Sequence, residues 1–291
     1  MIYLLLSIVG SALLFIILKY YDRFGVNTLQ AIVVNYVTAF SLGLYHNSGS
    51  VHPSDLPHMS WLWICGYLGI LFILVFLLLA KTAQEIGVSV ATVANKMSVV
   101  IPVSIAVLYY HNSCGVLKIA GIMLALAAVV LTSRKEGGKH SFTWDNSLAI
   151  LLPLVVFIGS GAIDALLNFA QLRLIPQSDS SIFLASCFGA AGCIGISVVL
   201  FRIVVYKEKP EWKSLVGGIA LGIPNYYSTF YFLEALNSRV FESSVLYPLN
   251  NLGVVLLCAF AARLLFQERL SRMNLAGIAL SLVAILLIAF S

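Results

Sequence analysis

The sequence is punctuated by ten apolar runs, each close to the length a helix needs to cross a bilayer. They fall at residues 2–20, 29–45, 61–80, 88–110, 116–132, 148–171, 181–205, 214–236, 240–262 and 273–290. A hydrocarbon core is about 30 Å thick and a helix rises about 1.5 Å per residue, so about 20 apolar residues make one crossing. The runs are continuous, whereas barrel strands alternate over segments of about 10 residues, so a strand-built barrel is excluded. Composition agrees, with 60% hydrophobic and 10% charged residues, where soluble domains have about 25% charged. The first run has no basic region ahead of it and no small-residue cleavage site before its end, which predicts a retained span.

The connections are short, and the polar stretch SRKEGGKHSFTWDNS at 133–147 divides the chain into five spans and five. The two sets echo each other. Ile119-Ala-Gly-Ile122 opens the fifth run and Leu275-Ala-Gly-Ile278 the tenth, while Val9-Gly10-Ser11 is matched by Ile158-Gly159-Ser160. Ala83 and Val88 match Ala235 and Val240 at one common offset. Each match is weak alone, but their shared order points to duplication. Five is odd, so the two copies cross the membrane in opposite senses, and such inverted repeats are a signature of secondary transporters. The expected fold class is therefore an all-α polytopic membrane protein, with ten transmembrane helices as two inverted five-helix repeats. The first repeat is placed at 1–133, a basic linker at 134–147 and the second repeat at 148–291.

Charge is distributed unevenly. The loops on the side of the N-terminus hold Lys118, Arg173 and Arg239, whereas the opposite loops hold 13 of the 17 lysines and arginines. The positive-inside rule then places both termini outside the cytoplasm.

Lys96, which belongs to neither set, lies inside the fourth run, about 12 Å from Val88. A charge at that depth costs about 2.5–3.5 kcal/mol on insertion scales, so it is expected to face protein or a water-filled cavity. Asn95 adjoins it. Asp164 in the sixth run is the obvious partner, with Asn168 and Gln171 on the same helix face. By helical rise Asp164 lies about 21 Å from the side at which Lys96 is about 12 Å deep, so direct contact and separation both stay open. Asn225 follows Pro224 in the eighth run, and Tyr247, Pro248, Asn250 and Asn251 cluster in the ninth. A proline removes a backbone donor and kinks a helix, and irregular backbone at membrane depth is tolerated only in protein or beside a cavity. Asn35 and Tyr36 in the second run make a weaker case of the same kind. Each of these residues has a plainer reading as interhelical hydrogen-bond glue.

Taken with the duplication, these residues resemble the drug/metabolite transporter superfamily in its ten-helix EamA-type form, over essentially the whole chain. Gln267-Glu268-Arg269-Leu270 followed by Leu275-Ala-Gly-Ile278 is similar to the family's acidic turn and small-residue helix start; the first half has Asn112-Ser113-Cys114-Gly115 at the acidic turn. The resemblance implies transport of small metabolites by alternating access. It also implies a proline in both the fourth and ninth spans, whereas here Pro248 fits the ninth and Lys96 stands at the fourth position, with Pro102 the nearest proline. Family habit places both termini in the cytoplasm, opposite to the charge bias.

The expected function is a secondary transporter in the plasma membrane. It would move amino-acid-like, organic-anion or amphiphilic compounds by proton- or exchange-coupled alternating access. Substrate-binding candidates are Lys96, Asn95, Asn225, Tyr247, Asn250, Asn35 and Tyr36; coupling candidates are Asp164 and Asn168; hinges are Pro224 and Pro248. No catalytic residue, cofactor or metal is expected. The five cysteines lack metal spacing, and His46, His52 and His58 with Asp55 match no metal signature. No nucleotide-binding glycine loop or coenzyme fingerprint is present, and no nucleic acid is expected as partner. Beyond the lipid bilayer and a small-molecule substrate no partner is required. Two complete halves make a monomer sufficient, and a homodimer stays open. The rival readings are a lipid-linked flippase component and a membrane-embedded enzyme.

Overall fold

The computed structural model describes residues 2–46, 59, 61–110, 116–133, 144–175, 180–238, 243–268 and 271–289. Among them the chain is all-helical: α1 (Ile2–Phe24), α2 (Thr28–Tyr45), α3 (Leu62–Glu85), α4 (Val88–Met97), α5 (Val100–Tyr110), α6 (Val116–Ser133), α7 (Trp144–Arg173), α8 (Ser180–Tyr206), α9 (Trp212–Asn237), α10 (Ser243–Leu265) and α11 (Arg272–Ala289). The helices match the ten runs read from the sequence, except that the fourth is split into α4 and α5. Six stretches are long and apolar enough to cross a membrane: α1, α2, α3, the split fourth run, and the cores of α7 and α8. Shorter apolar stretches lie in α6, α10 and α11.

Local chemistry explains the joints. At the end of α1, Gly25 adopts φ +62°, which an L side chain resists. Its N–H reaches Asp22 O and that of Val26 reaches Tyr21 O, the pair of reversed bonds that closes a helix end. Asn27 then starts α2 by accepting from the Gln30 N–H at 3.2 Å, a side-chain N-cap. The split of the fourth run has an equally local cause. Pro102 has no N–H to give Ser98 O, and its ring crowds that carbonyl. Ser98 O takes the Ile101 N–H at 2.9 Å instead, in a tighter turn, and the helix breaks at 98–99.

The packing has an internal two-fold pattern. α2 lies on α9 and α8 on α3; α1 lies on α9 and α7 on α3; α1 meets α10 while α7 meets α4 and α5. The remaining major pairs, α2 with α8 and α6 with α11, join helices in equivalent places. Exchanging spans five apart maps this set of contacts onto itself. Close approach is bought with glycine: a Cβ on Gly222 of α9 would stand 2.6 Å from Thr38 Cβ and 2.8 Å from Asn35 O on α2, closer than real atoms pack.

The exposed faces are apolar. Ile2, Leu5, Leu6, Val9 and Leu13 on α1 and Leu200, Phe201 and Val204 on α8 point outward, the surface a lipid environment requires. The inward-facing element is α4, where every residue from Val88 to Ala94 is buried. The helix with the intramembrane lysine is thus the most enclosed element of the bundle.

Candidate functional site

Lys96 sits on the last turn of α4, two residues before the break, and is half-buried. The break turns the Ser98 side chain onto α7, where its Oγ stands 3.1 Å from Asp164 Oδ2 and 2.5 Å from its own chain's Asn95 O. A hydroxyl has one proton, so Ser98 donates to one of these acceptors at a time. Beside it, Asn95 Nδ2 donates to Ser160 Oγ at 2.9 Å. Two hydrogen bonds therefore tie the end of α4 to the inner face of α7.

Lys96 and Asp164 are close enough to feel each other's charge. Among the described residues they form no ion pair within 4.0 Å; the pairs present there are Lys81–Glu85 and Arg202–Glu208, both away from this site. Asp164 and Asn168, one turn on, are both exposed on α7. Tyr247 of α10 lies within electrostatic reach of Asp164 and is 46% exposed, its ring edge against Phe232.

Toward the other end of α10 the packing is close. Cys258, three turns along α10, has no exposed surface and lies against Thr92, which is equally buried. Farther on, Glu268 in the turn after α10 accepts the Val88 N–H at 2.9 Å through Oε1. Burial pushes the Glu268 carboxyl above its ordinary value, against the pull of the Val88 and Ser89 N–H groups and of Lys19.

The other candidates have partners of their own. Asn225 Nδ2 donates to Asn35 Oδ1 at 3.0 Å, and both residues are buried where α9 crosses α2. Tyr36 is buried beside Phe72, Phe76 and Phe188 and donates to Phe72 O at 2.9 Å. Asn250 accepts from Ser7 Oγ at 3.2 Å, joining α10 to α1. Pro224 lies within α9, which runs on unbroken as helix. Pro248 lies in α10, also continuous there, with its side chain outside the described residues, as is that of Gln171. The helix break falls at 98–99, a position not singled out from the sequence. Ser98, Ser160 and Glu268 were missed for one reason: each matters through a contact with a distant helix. His52, Asp55 and His58 lie outside the described residues, and no group of metal-ligating side chains occurs among the described ones.

Apolar helices packed around a broken, buried fourth span, with six stretches among the described residues long enough to cross a bilayer, define a multi-pass membrane protein. Residues 1–134 match the EamA-like transporter family, within the drug/metabolite transporter superfamily. An uncharacterized protein of Haemophilus influenzae is 26% identical over 97% of this chain and 95% of its own length. A crystal structure of a protein 14% identical in sequence shares the fold, with a TM-score of 0.59 covering 97% of this chain and 95% of that one.

Proposed function

We propose that the chain carries small zwitterionic or anionic metabolites, amino-acid-like in size and charge, across the plasma membrane by alternating access. The observation that supports this most directly is the pair Lys96 and Asp164, within electrostatic reach of each other without forming an ion pair within 4.0 Å. A buried charge is costly unless it is partnered, so a pair held apart leaves both groups ready for a ligand. Lys96 offers the ammonium for a carboxylate and Asp164 the carboxylate for an amine. Tyr247 can add a hydroxyl contact.

The two halves, 1–133 and 148–291 with 134–147 between them, act as the moving repeats. Support comes from the two-fold packing pattern and from the extent of the family match, residues 1–134. Coupling is assigned to Asp164. Ionised, it accepts the Ser98 proton; protonated, it donates its own and frees the Ser98 hydroxyl for Asn95 O. One proton thus changes how the break in the fourth span is held to α7. Asn95 keeps the lysine's helix on α7 through Ser160, while Asn35, Asn225 and Asn250 hold the frame.

Flux into proteoliposomes, measured with a panel of amino acids, organic anions and organic cations, tests the reading. Lys96→Ala is expected to raise the half-saturating concentration of a carboxylate substrate about 10- to 150-fold, for a charge-assisted hydrogen bond of about 1.5–3 kcal/mol. Asp164→Asn is expected to flatten the pH dependence of flux. Unchanged flux and unchanged pH dependence in both variants would sink the proposal.

A further inference from the structure

At the lysine- and arginine-rich face, a carboxylate from the second half of the chain reaches the start of α4. α10 ends in a turn where Gln267 adopts φ +52° and the Glu268 N–H returns to Ala262 O. This turn aims Glu268 across the half-to-half boundary at the start of α4. There Oε1 accepts the Val88 N–H at 2.9 Å, and Ser89 offers its N–H as well. The first N–H groups of a helix have no partner of their own, and an anion is favoured at that end. The approach is built for this carboxylate. Gly87 adopts φ +147°, and a Cβ there would stand 2.9 Å from Glu268 Oε2. Around it, Lys19 donates to Gln84 O at 2.7 Å, and Gln84 donates to Leu18 O and Thr28 Oγ1. Those bonds join α1, α2 and α3 within the first half. The start of α9 and the residues before it also bond to α2 here, as in Asn27 N–H to Ser214 Oγ and Gln30 Nε2 to Lys209 O. Glu268 is the carboxylate that reaches α4.

We propose that Glu268 is a positioning residue that latches the basic face shut by capping α4, the helix that carries Lys96. The matching turn of the first half, Asn112-Ser113-Cys114-Gly115, has no carboxylate. The latch is therefore one-sided, and it favours the state closed at the basic face. Its purpose rests on the transport reading, but the contact itself does not.

Cys258 is a native reporter, fully buried on α10 between the latch and Lys96. In the full chain with Cys65, Cys114, Cys187 and Cys193 replaced by alanine or serine, reconstituted in vesicles, a membrane-impermeant methanethiosulfonate is applied to each face in turn. Glu268→Ala is expected to raise Cys258 modification from the basic face about tenfold or more, the factor that loss of one charge-assisted hydrogen bond gives. Glu268→Gln keeps an acceptor without the charge and is expected to give a smaller rise from the same face. Equal rates in the parent and both variants would overturn the latch, and so would a rise shared by both faces, which would mark loosened packing. No substrate is added, so a negative labelling result leaves transport standing, and absent flux leaves the labelling result standing.

Discussion

Ser98 carries more of the candidate site than its size suggests, because one hydroxyl serves two acceptors on different helices. Removing it in Ser98→Ala leaves Asp164 without its hydrogen-bond partner from the fourth span. The expected cost is about 1 kcal/mol of stability, the net worth of one hydrogen bond. The expected signature in transport is a shift in the pH dependence of flux with the half-saturating concentration nearly unchanged, since Ser98 acts on Asp164 rather than on the ligand. Thermal unfolding in detergent and flux across a pH series measure the two, and an unaltered pH profile would count against the role given to Asp164. Single-residue oddities such as Lys96 and Asp164 were legible in the sequence because charge at membrane depth is rare. Their relation was not. Depths of about 12 and 21 Å left contact open, and the serine between them carries no signal in a sequence full of small polar residues. Asn35, Asn225 and Asn250 show the converse. Polar groups inside apolar runs stand out, yet their hydrogen-bond partners decide whether they face a ligand or each other.

At the scale of elements, the fourth span shows why a proline is easier to see than its effect. The apolar run at 88–110 is continuous, so hydropathy reads one crossing, while the damage Pro102 does falls one turn earlier, at the carbonyl of Ser98. The break is what lets the Ser98 side chain meet Asp164 and ends α4 just after Lys96. Pro102→Ala restores the missing donor to Ser98 O. The repaired helix is expected to run unbroken through 98–99, to unfold at a higher temperature, and to transport poorly because the Ser98–Asp164 contact is lost. Melting temperature and initial flux on the same preparation test this pairing; a variant that gained stability and kept full flux would show that the break has no part in the cycle. The helices themselves were read from length and hydropathy with little loss, because a bilayer imposes its thickness on every span.

At the scale of the whole molecule, Glu268 and Tyr247 lie toward opposite ends of α10, so the proposed function depends on which end meets the cytoplasm. The basic residues give a physical answer. Lys207 and Lys209 before α9 and Lys213 in its first turn, with Lys19, Arg23 and Lys81, sit at the end closed by Glu268, whereas Arg173 ends α7 at the other. Translocating that many cations against the membrane potential is unfavourable, so charge bias predicts the Glu268 end on the cytoplasmic side, opposite to family habit. α9 offers a direct measurement, because its two ends are about 39 Å apart and its flanks are exposed at Lys209 and Ser238. In intact cells expressing a chain without native cysteines, a membrane-impermeant maleimide is expected to label Ser238→Cys and to spare Lys209→Cys until the membrane is permeabilised. The reverse pattern would put the Tyr247 end on the cytoplasmic side. The state that the latch favours would then await solutes from within the cell, and the same one-sided latch would set the chain for export in place of uptake.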